Sequence, residues 1–377
     1  MKIAIIGCGQ IADAHISEAQ KIAGVEVAAV MDLNIHMAEQ AAVRFGVPGV
    51  YTDAEAMLRE VRPEVVHVTT PPASHLPLGR LALEHGAHVY LEKPFTVDAA
   101  EAEELVAAAE RQGRLVCVGH NMVFESPFLR LREAYRRGEL GDVVHVDGVM
   151  GYGLAGQFGA VFMGDPTHWL HRLPGGVAQN NISHPLSLML EFLKDERPAV
   201  TARGLRLREG LYGDVRDRLH DEIRATLVGR SVTGNLVFTA HAQPVQIYLQ
   251  VHGTKRQAIC HMDARSLRYV EGAAMPGPFR RIQWAYRDLK EARREHRRLI
   301  RRFVAGRMQF FEGMNELFRR FYDAVAGRGE MPIAMSEAVR TTAIMDEIFR
   351  QCDEHRSETE GDLPAAGCAA RQREQVP

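Results

Sequence analysis

The chain has 377 residues, 46% of them hydrophobic and 25% charged, with a formal net charge of −2. Its length exceeds one ordinary domain and predicts two. The near-neutral balance argues against a nucleic-acid or anionic-membrane partner, and no stretch approaches the roughly 20 apolar residues of a membrane span.

Ile3 to Ile6 reads as a fully buried strand, and Gly7-Cys8-Gly9-Gln10-Ile11-Ala12 then opens a helix through Ile11, His15 and Ala19. This is G-x-G-x-x-A in the strand–turn–helix setting that a dinucleotide site requires. Gly7 permits the tight turn and Gly9 the approach of a pyrophosphate. Ala12 permits close helix–strand packing, and the helix N-terminus at Gln10 and Ile11 stabilises the phosphate charge. The same glycines interrupt the N-terminal apolar run too early for a signal peptide. A second strand, Val25 to Met31, ends in Asp32, placed to hydrogen-bond ribose hydroxyls. Leu33 and Asn34 follow, with no adjacent arginine for a 2′-phosphate, so NAD(H) is favoured over NADP(H).

The alternation continues. Helices are expected at 35–45 and 54–59, and a short strand at Tyr51. The strand Val65 to Val68 stops at Thr69-Thr70-Pro71-Pro72, before a helix at 76–85. The run Ala87 to Leu91 is a strand that delivers Glu92-Lys93-Pro94. A lysine at the carboxyl end of a buried strand is costly unless it is paired or lines a wet cleft, and in open α/β sheets ligands bind at those ends. A solvated lysine is the plain alternative for that position. A helix at 99–112 and a strand at 115–118 complete a doubly wound parallel sheet.

After about residue 120 the pattern changes. An amphipathic helix at 128–137 precedes strand-type runs at 143–150, 199–207, 220–227, 231–240, 246–252 and 257–262, which favour one large, mostly antiparallel sheet. Helices are expected at 310–326 and 336–352. The fold class is therefore α/β, with a Rossmann domain at 1–120, an α+β substrate and oligomerisation domain at 121–352, and a disordered tail at 353–377. Lys290 to Arg302 is strongly basic and reads as a solvated helix face. The cysteines, Cys8, Cys117, Cys260, Cys352 and Cys368, form no C-x-x-C pair, which fits reduced thiols in the cytoplasm.

Several pieces together resemble the glucose–fructose oxidoreductase / inositol dehydrogenase family of NAD(P)-dependent oxidoreductases, over about residues 1 to 350. They are the glycine motif with His15, Thr70-Pro71-Pro72-Ala73-Ser74-His75, Glu92-Lys93-Pro94, Gly175-Gly176 followed by His184, and the region 311–326. The resemblance implies that Lys93 lies beside nicotinamide and substrate, after a peptide that is often cis before Pro94. It implies a histidine at His184 on a helix after the Gly-Gly turn, four residues beyond an aspartate. Here Asn180 replaces that aspartate and brings no charge to the imidazole. Val123 of Asn121-Met122-Val123-Phe124 stands where the family often has Arg, which marks an atypical pocket.

The expected catalytic residues are thus Lys93, His184 and Asn180. The cofactor is assigned to Gly7, Gly9, Gln10, Ile11, Asp32, Thr70, Pro71, His75 and Glu92, and the substrate to His168, Trp169, Arg172 and Asn121. Trp169 reads equally as a sugar-stacking wall or as core. His15 and His75 read as cofactor neighbours or as surface residues of a helix. His168, His171 and His184 lack the acidic ligand and spacing of a metal site, so no metal is expected. The expected activity is hydride transfer between NAD and a sugar, sugar derivative or cyclitol, by a cytoplasmic homodimer or homotetramer joined through the second sheet. One alternative is a net non-redox elimination or glycoside cleavage that uses tightly held NAD for transient oxidation. Another is a non-catalytic NAD-binding regulator.

Overall fold

The structure is a computed structural model that describes residues 1–153, 159, 161–162, 164–165, 167–207, 220–272 and 275–354. The tail expected from residue 353 lies outside the described residues from 355 onward. Residues 353 and 354 still belong to the last helix.

The first half alternates β1 (Lys2–Ile6), α1 (Gln10–Gln20), β2 (Glu26–Met31), α2 (Ile35–Phe45), β3 (Gly49–Tyr51), α3 (Ala54–Val61), β4 (Val65–Val68), α4 (His75–Glu84), β5 (His88–Leu91), α5 (Ala99–Gln112) and β6 (Val116–Val118). The inner strands are short, apolar and buried on both faces, as a parallel sheet covered by helices demands, and the edge strand β3 is half-buried. The helices begin where a side chain can cap them. Asn34, Asp53 and Asp98 accept from the backbone N–H of His36, Ala56 and Glu101. The sheet is wholly parallel, in the order β3-β2-β1-β4-β5-β6. The order reverses between β1 and β4, and the crevice at their carboxyl ends is where such sheets bind ligands.

The second half contains α6 (Ser126–Arg136), β7 (Val143–Gly151), α7 (Gly176–Met189), β8 (Ala199–Leu205), β9 (Glu222–Val228), β10 (Thr233–Thr239), β11 (Ile247–Gly253), β12 (Gln257–His261), β13 (Ser266–Val270), α8 (Pro278–Val304), α9 (Glu312–Val325) and α10 (Met335–Glu354). Its seven-stranded sheet runs β13-β12-β11-β7-β10-β9-β8, and only the β7–β10 pair is parallel. The strand β13 was not expected, because its sequence, Ser266 to Val270, alternates too briefly to stand out. The basic stretch at 290–302 proves to be the second half of a 27-residue helix that begins at Pro278.

Three contacts hold α7 in place. On the facing strands, a Cβ on Gly148 would lie 2.5 Å from Met189 Sδ, and one on Gly234 would lie 2.8 Å from Met189 Cε. Only glycine lets the helix sit this close to the sheet. At its N-terminus, Gly175 packs flat against the ring of Phe349 on α10. Helix α10 ties the two halves together. Its Asp346 accepts the Ala99 N–H at 2.7 Å, and its Arg340 donates to the carbonyls of Asp195 and Leu193. Burial is the main reason the Asp346 carboxyl is pushed up to about 6. Among the described residues, no helix is long and apolar enough to cross a membrane.

This packing generates a test. Gly175→Ala should destabilise the fold by about 1–3 kcal/mol, the usual cost of overpacking a core. Adding Phe349→Leu should restore most of the loss. Equal denaturant midpoints for Gly175→Ala and the unmodified chain would refute the contact.

Candidate active site

The crevice between β1 and β4 is built from backbone. Gly7 takes φ +96°, and a Cβ there would meet Thr70 Cγ2 at 2.6 Å, so the turn needs glycine. Thr69 Oγ1 donates to Gly7 O at 2.6 Å and clamps the two strand ends. A Cβ on Gly9 would meet nothing within 4 Å, so the loop faces open space there. Helix α1 starts at Gln10 with no side-chain cap, which leaves its N-terminal N–H groups directed at that space. Asp32 Oδ2 accepts the Cys8 N–H at 2.8 Å and Oδ1 that of Asn34 at 2.9 Å. The carboxylate is therefore held at the end of β2, beside the glycine turn. These residues fit a dinucleotide: an open cradle, uncapped helix donors, and an acid at the end of the neighbouring strand.

The strand β5 delivers Glu92 and Lys93. The Lys93–Pro94 peptide is cis. Lys93 Nζ donates to Asn180 O at 3.1 Å and Asn180 Oδ1 at 3.3 Å, and so reaches from the first sheet to α7. Burial lowers the Lys93 pKa, and Glu92 partly offsets this. Burial opposes ionisation of Glu92, but its His15 hydrogen bond and charge, with Lys93, prevail and hold its carboxyl below the usual range.

Behind Glu92 runs a fully buried chain of hydrogen bonds. Glu92 Oε1 meets His15 Nε2, His15 Nδ1 meets His67 Nδ1, and His67 Nε2 meets the Tyr322 hydroxyl, each at 2.9 Å. An ionised carboxylate only accepts, so His15 carries its proton on Nε2. Both ring nitrogens of His15, both of His67 and the Tyr322 hydroxyl are thereby partnered. Burial, followed by the neighbouring His15, holds the His67 pKa well below its usual value. His15 is therefore neither a surface residue nor a cofactor contact. It holds Glu92.

Across the cleft, α7 presents Asn180 and His184. Burial lowers the His184 pKa well below its usual value, and Lys93 and His120 add to the effect. Its imidazole is thus neutral at physiological pH rather than titrating there. His184 Nδ1 is buried without a hydrogen-bond partner, as is Asn121 Oδ1. Each is a buried polar atom left without the partner that such atoms ordinarily have. Sequence reasoning missed His120. It follows β6, is buried, and has its pKa pushed down to about 4, chiefly by burial. The strand-end argument that singled out Lys93 applies equally to it.

Other expected contacts are placed differently. His75 is fully buried, with its ring nitrogens on Phe95 O at 3.0 Å and Thr70 O at 2.8 Å, so it ties the loop after β4 to the loop after β5. Glu92 likewise turns inward toward His15. Thr70 accepts from Ser74 Oγ at 2.6 Å, and Pro71 caps the short 3₁₀ turn Pro72–Ser74. His168 Nδ1 accepts the Leu170 N–H at 3.4 Å and starts a second 3₁₀ turn, Trp169–Arg172. Trp169 packs partly buried on the core, and Arg172 is exposed with its guanidinium on Thr167 O. This turn touches α7, but no hydrogen bond joins its described side chains to Lys93, Asn180 or His184. Among the described residues, no group of three His, Cys, Asp or Glu could hold a metal ion.

Comparison with known proteins adds the following. Residues 1–120 match the family model described as "Oxidoreductase family, NAD-binding Rossmann fold", and residues 128–259 match the "GFO/IDH/MocA C-terminal domain". The chain is 34% identical over 144 residues to D-glucoside 3-dehydrogenase of Escherichia coli (strain K12), a match covering 38% of this chain and 41% of that protein. It is 33% identical over 140 residues to D-apiose dehydrogenase of Paraburkholderia graminis, covering 37% of each. The chain thus spans about two-fifths of the length of the curated relatives it matches. Its fold is that of levoglucosan dehydrogenase in complex with NADH and levoglucosan, with a TM-score of 0.76 at 17% identity over 94% of this chain and 97% of that one. The WlbA dehydrogenase of Bordetella pertussis, in complex with NADH and UDP-GlcNAcA, aligns with a TM-score of 0.74 at 18% identity over 94% and 96%.

The buried histidines make stability depend on pH. An imidazole whose folded-state pKa is depressed destabilises the fold as pH falls below about 6.5, because the unfolded chain takes up the proton first. For His120 the loss develops between about 6.5 and about 4. The expected outcome is that His120→Asn loses less stability than the unmodified chain between pH 7 and pH 5. Identical slopes in denaturant titrations at the two pH values would remove His120 from this account.

Proposed function

The chain belongs to the GFO/IDH/MocA oxidoreductase family, and from that premise we propose that it transfers hydride between NAD and a hydroxyl-bearing carbon of a sugar, sugar derivative or cyclitol. One observation carries the reading: Lys93 Nζ, from the carboxyl end of a Rossmann strand, meets Asn180 of α7 across the cleft. Relatives named D-glucoside 3-dehydrogenase, D-apiose dehydrogenase and inositol 2-dehydrogenase support this substrate class.

Gly7, Gly9, Gln10 and Ile11 hold the pyrophosphate, Asp32 the adenosine ribose, and Thr70 and Pro71 line the crevice beside them. When bound, NAD supplies the hydride acceptor or donor. In the oxidising direction the substrate hydroxyl gives its proton to the neutral Lys93 amine. In the reducing direction the ammonium returns it. Burial lowers the Lys93 pKa, which favours the neutral amine that accepts the proton, and Glu92 partly offsets this. Asn180 fixes the Lys93 side chain. His184, neutral, and Asn121 bind substrate hydroxyls through their unpartnered atoms. Trp169, His168 and Arg172 form the outer wall of that pocket. The same reading places the chain in the cytoplasm, as a homodimer or homotetramer paired through the second sheet.

A panel of sugars, inositols, sugar acids and nucleotide sugars with NAD and NADP, followed at the reduced-nicotinamide absorbance, tests the activity. Lys93→Ala should lose about 10²–10⁴-fold in turnover while still binding NAD. Near-normal turnover in that variant would overturn the assignment. Turnover with no added cofactor, by protein purified with NAD in place, would instead indicate transient oxidation within a net non-redox reaction.

Cofactor choice is separately testable. Asp32 repels a 2′-phosphate, so NAD(H) should bind more tightly than NADP(H), and Asp32→Ser with Leu33→Arg should weaken or reverse the preference. Equal affinities in the unmodified chain, measured by titration calorimetry, would refute the role of Asp32.

A further inference from the structure

Helix α8 has its polarity reversed. Its 27 residues include ten Lys or Arg and three Asp or Glu. The polar groups that satisfy one another lie on the side facing the protein. Glu295 is buried, takes both guanidinium nitrogens of Arg130 at 2.7 and 2.9 Å, and accepts the Leu267 N–H. Asp288 pairs with Arg268, Arg302 donates to Glu312 at 2.6 Å, and Trp284 Nε1 donates to Glu271 O at 2.8 Å. The outward side carries Phe279, Ile282, Tyr286, Leu289, Ile300 and Phe303, which are 46 to 74% exposed. Steps of three and four, completed in the middle by Arg293 and His296, place them on one face. Phe310, just beyond the helix, is also exposed. This apolar stripe, interrupted midway by Arg293 and His296, is not needed for folding, because the inward side already anchors the helix.

Exposed Lys290, Arg294, Arg297 and Arg301 run beside the stripe on one edge, where they also line a groove against Arg130 and Glu133 of α6 and Glu312 of α9. These charges decide what covers it. A second copy of the helix would bring two cationic edges together and place Arg293 and His296 on the seam, where a coiled coil wants apolar residues. A nucleic acid would satisfy the charges but not the apolar stripe. An anionic lipid surface satisfies both, with apolar side chains at the acyl boundary and long cationic ones reaching headgroup phosphates. We propose that α8 is a membrane-surface helix that binds anionic phospholipid with its axis in the plane of the interface. The net charge of the whole chain, which argued against an anionic-membrane partner, does not speak to this helix. A whole-chain average hides this helix because the rest of the chain is correspondingly acidic.

The test is co-sedimentation of the full chain with vesicles of phosphatidylcholine alone or mixed with phosphatidylglycerol. Binding should require phosphatidylglycerol and weaken in 1 M salt, where the screening length is about 3 Å. Arg297→Gln and Arg301→Gln should each weaken partitioning about fivefold, and Leu289→Asp or Phe303→Asp roughly tenfold or more. All four positions are exposed, so thermal unfolding and NAD binding should be unchanged and serve as controls. No binding to the mixed vesicles at low salt would overturn the proposal, as would equal binding by the variants. So would a dimer in solution that Leu289→Asp dissolves, since a second copy would then cover the stripe.

Discussion

The compensation of one partly buried ammonium organises this molecule. Lys93 stands at the carboxyl end of a strand buried on both faces, where an unpaired cation is costly. Glu92 offsets the charge from behind, and Asn180 accepts the protons in front. Glu92 is itself buried, and His15 together with Lys93 holds its carboxyl below the usual range against that burial. His15 in turn is ordered by His67 and Tyr322. The charge at the cleft is thus fixed by residues from β4, β5, α1 and α9. A change at Tyr322, deep in the core, acts on the same network as a change at Glu92.

The second partner, Asn180, is useful only if α7 is rigid. The close approach at Gly148 and Gly234, and the stacking of Phe349 on Gly175, leave the helix no room to shift. Helix α10 joins this arrangement to the start of α5 through Asp346, so the two sheets are held in register across the cleft. Asn180 is neutral, and His184 beside it is kept neutral by burial, so Lys93 is the cation among these three groups.

Helix α8 shows the same constraint worked the other way. Its inward charges are matched by Arg130, Arg268 and Glu312, so apolar residues were left to face outward. The 290–302 window, read alone, holds the basic half of the helix. The aromatic residues that give the stripe its character begin at Phe279.

What the sequence determined by itself was local and periodic. The apolar runs of β1, β4 and β5, the glycine turn at Gly7 and the Glu92-Lys93-Pro94 strand end are all legible, because each depends on neighbours a few residues away. The resemblance carried by those motifs pointed to the family. Tertiary structure decided the rest. His15 lies on a helix where a surface histidine would look the same, and only packing against His67, 52 residues away, makes it a buried link. His75 and Glu92 turned inward because loops distant in sequence offered carbonyls and an imidazole. His120 became part of the site because β6 ends beside β5. Lys93 found its acceptor 87 residues away on α7. Burial and charge compensation depend on which groups the fold brings together, and sequence periodicity carries no record of that.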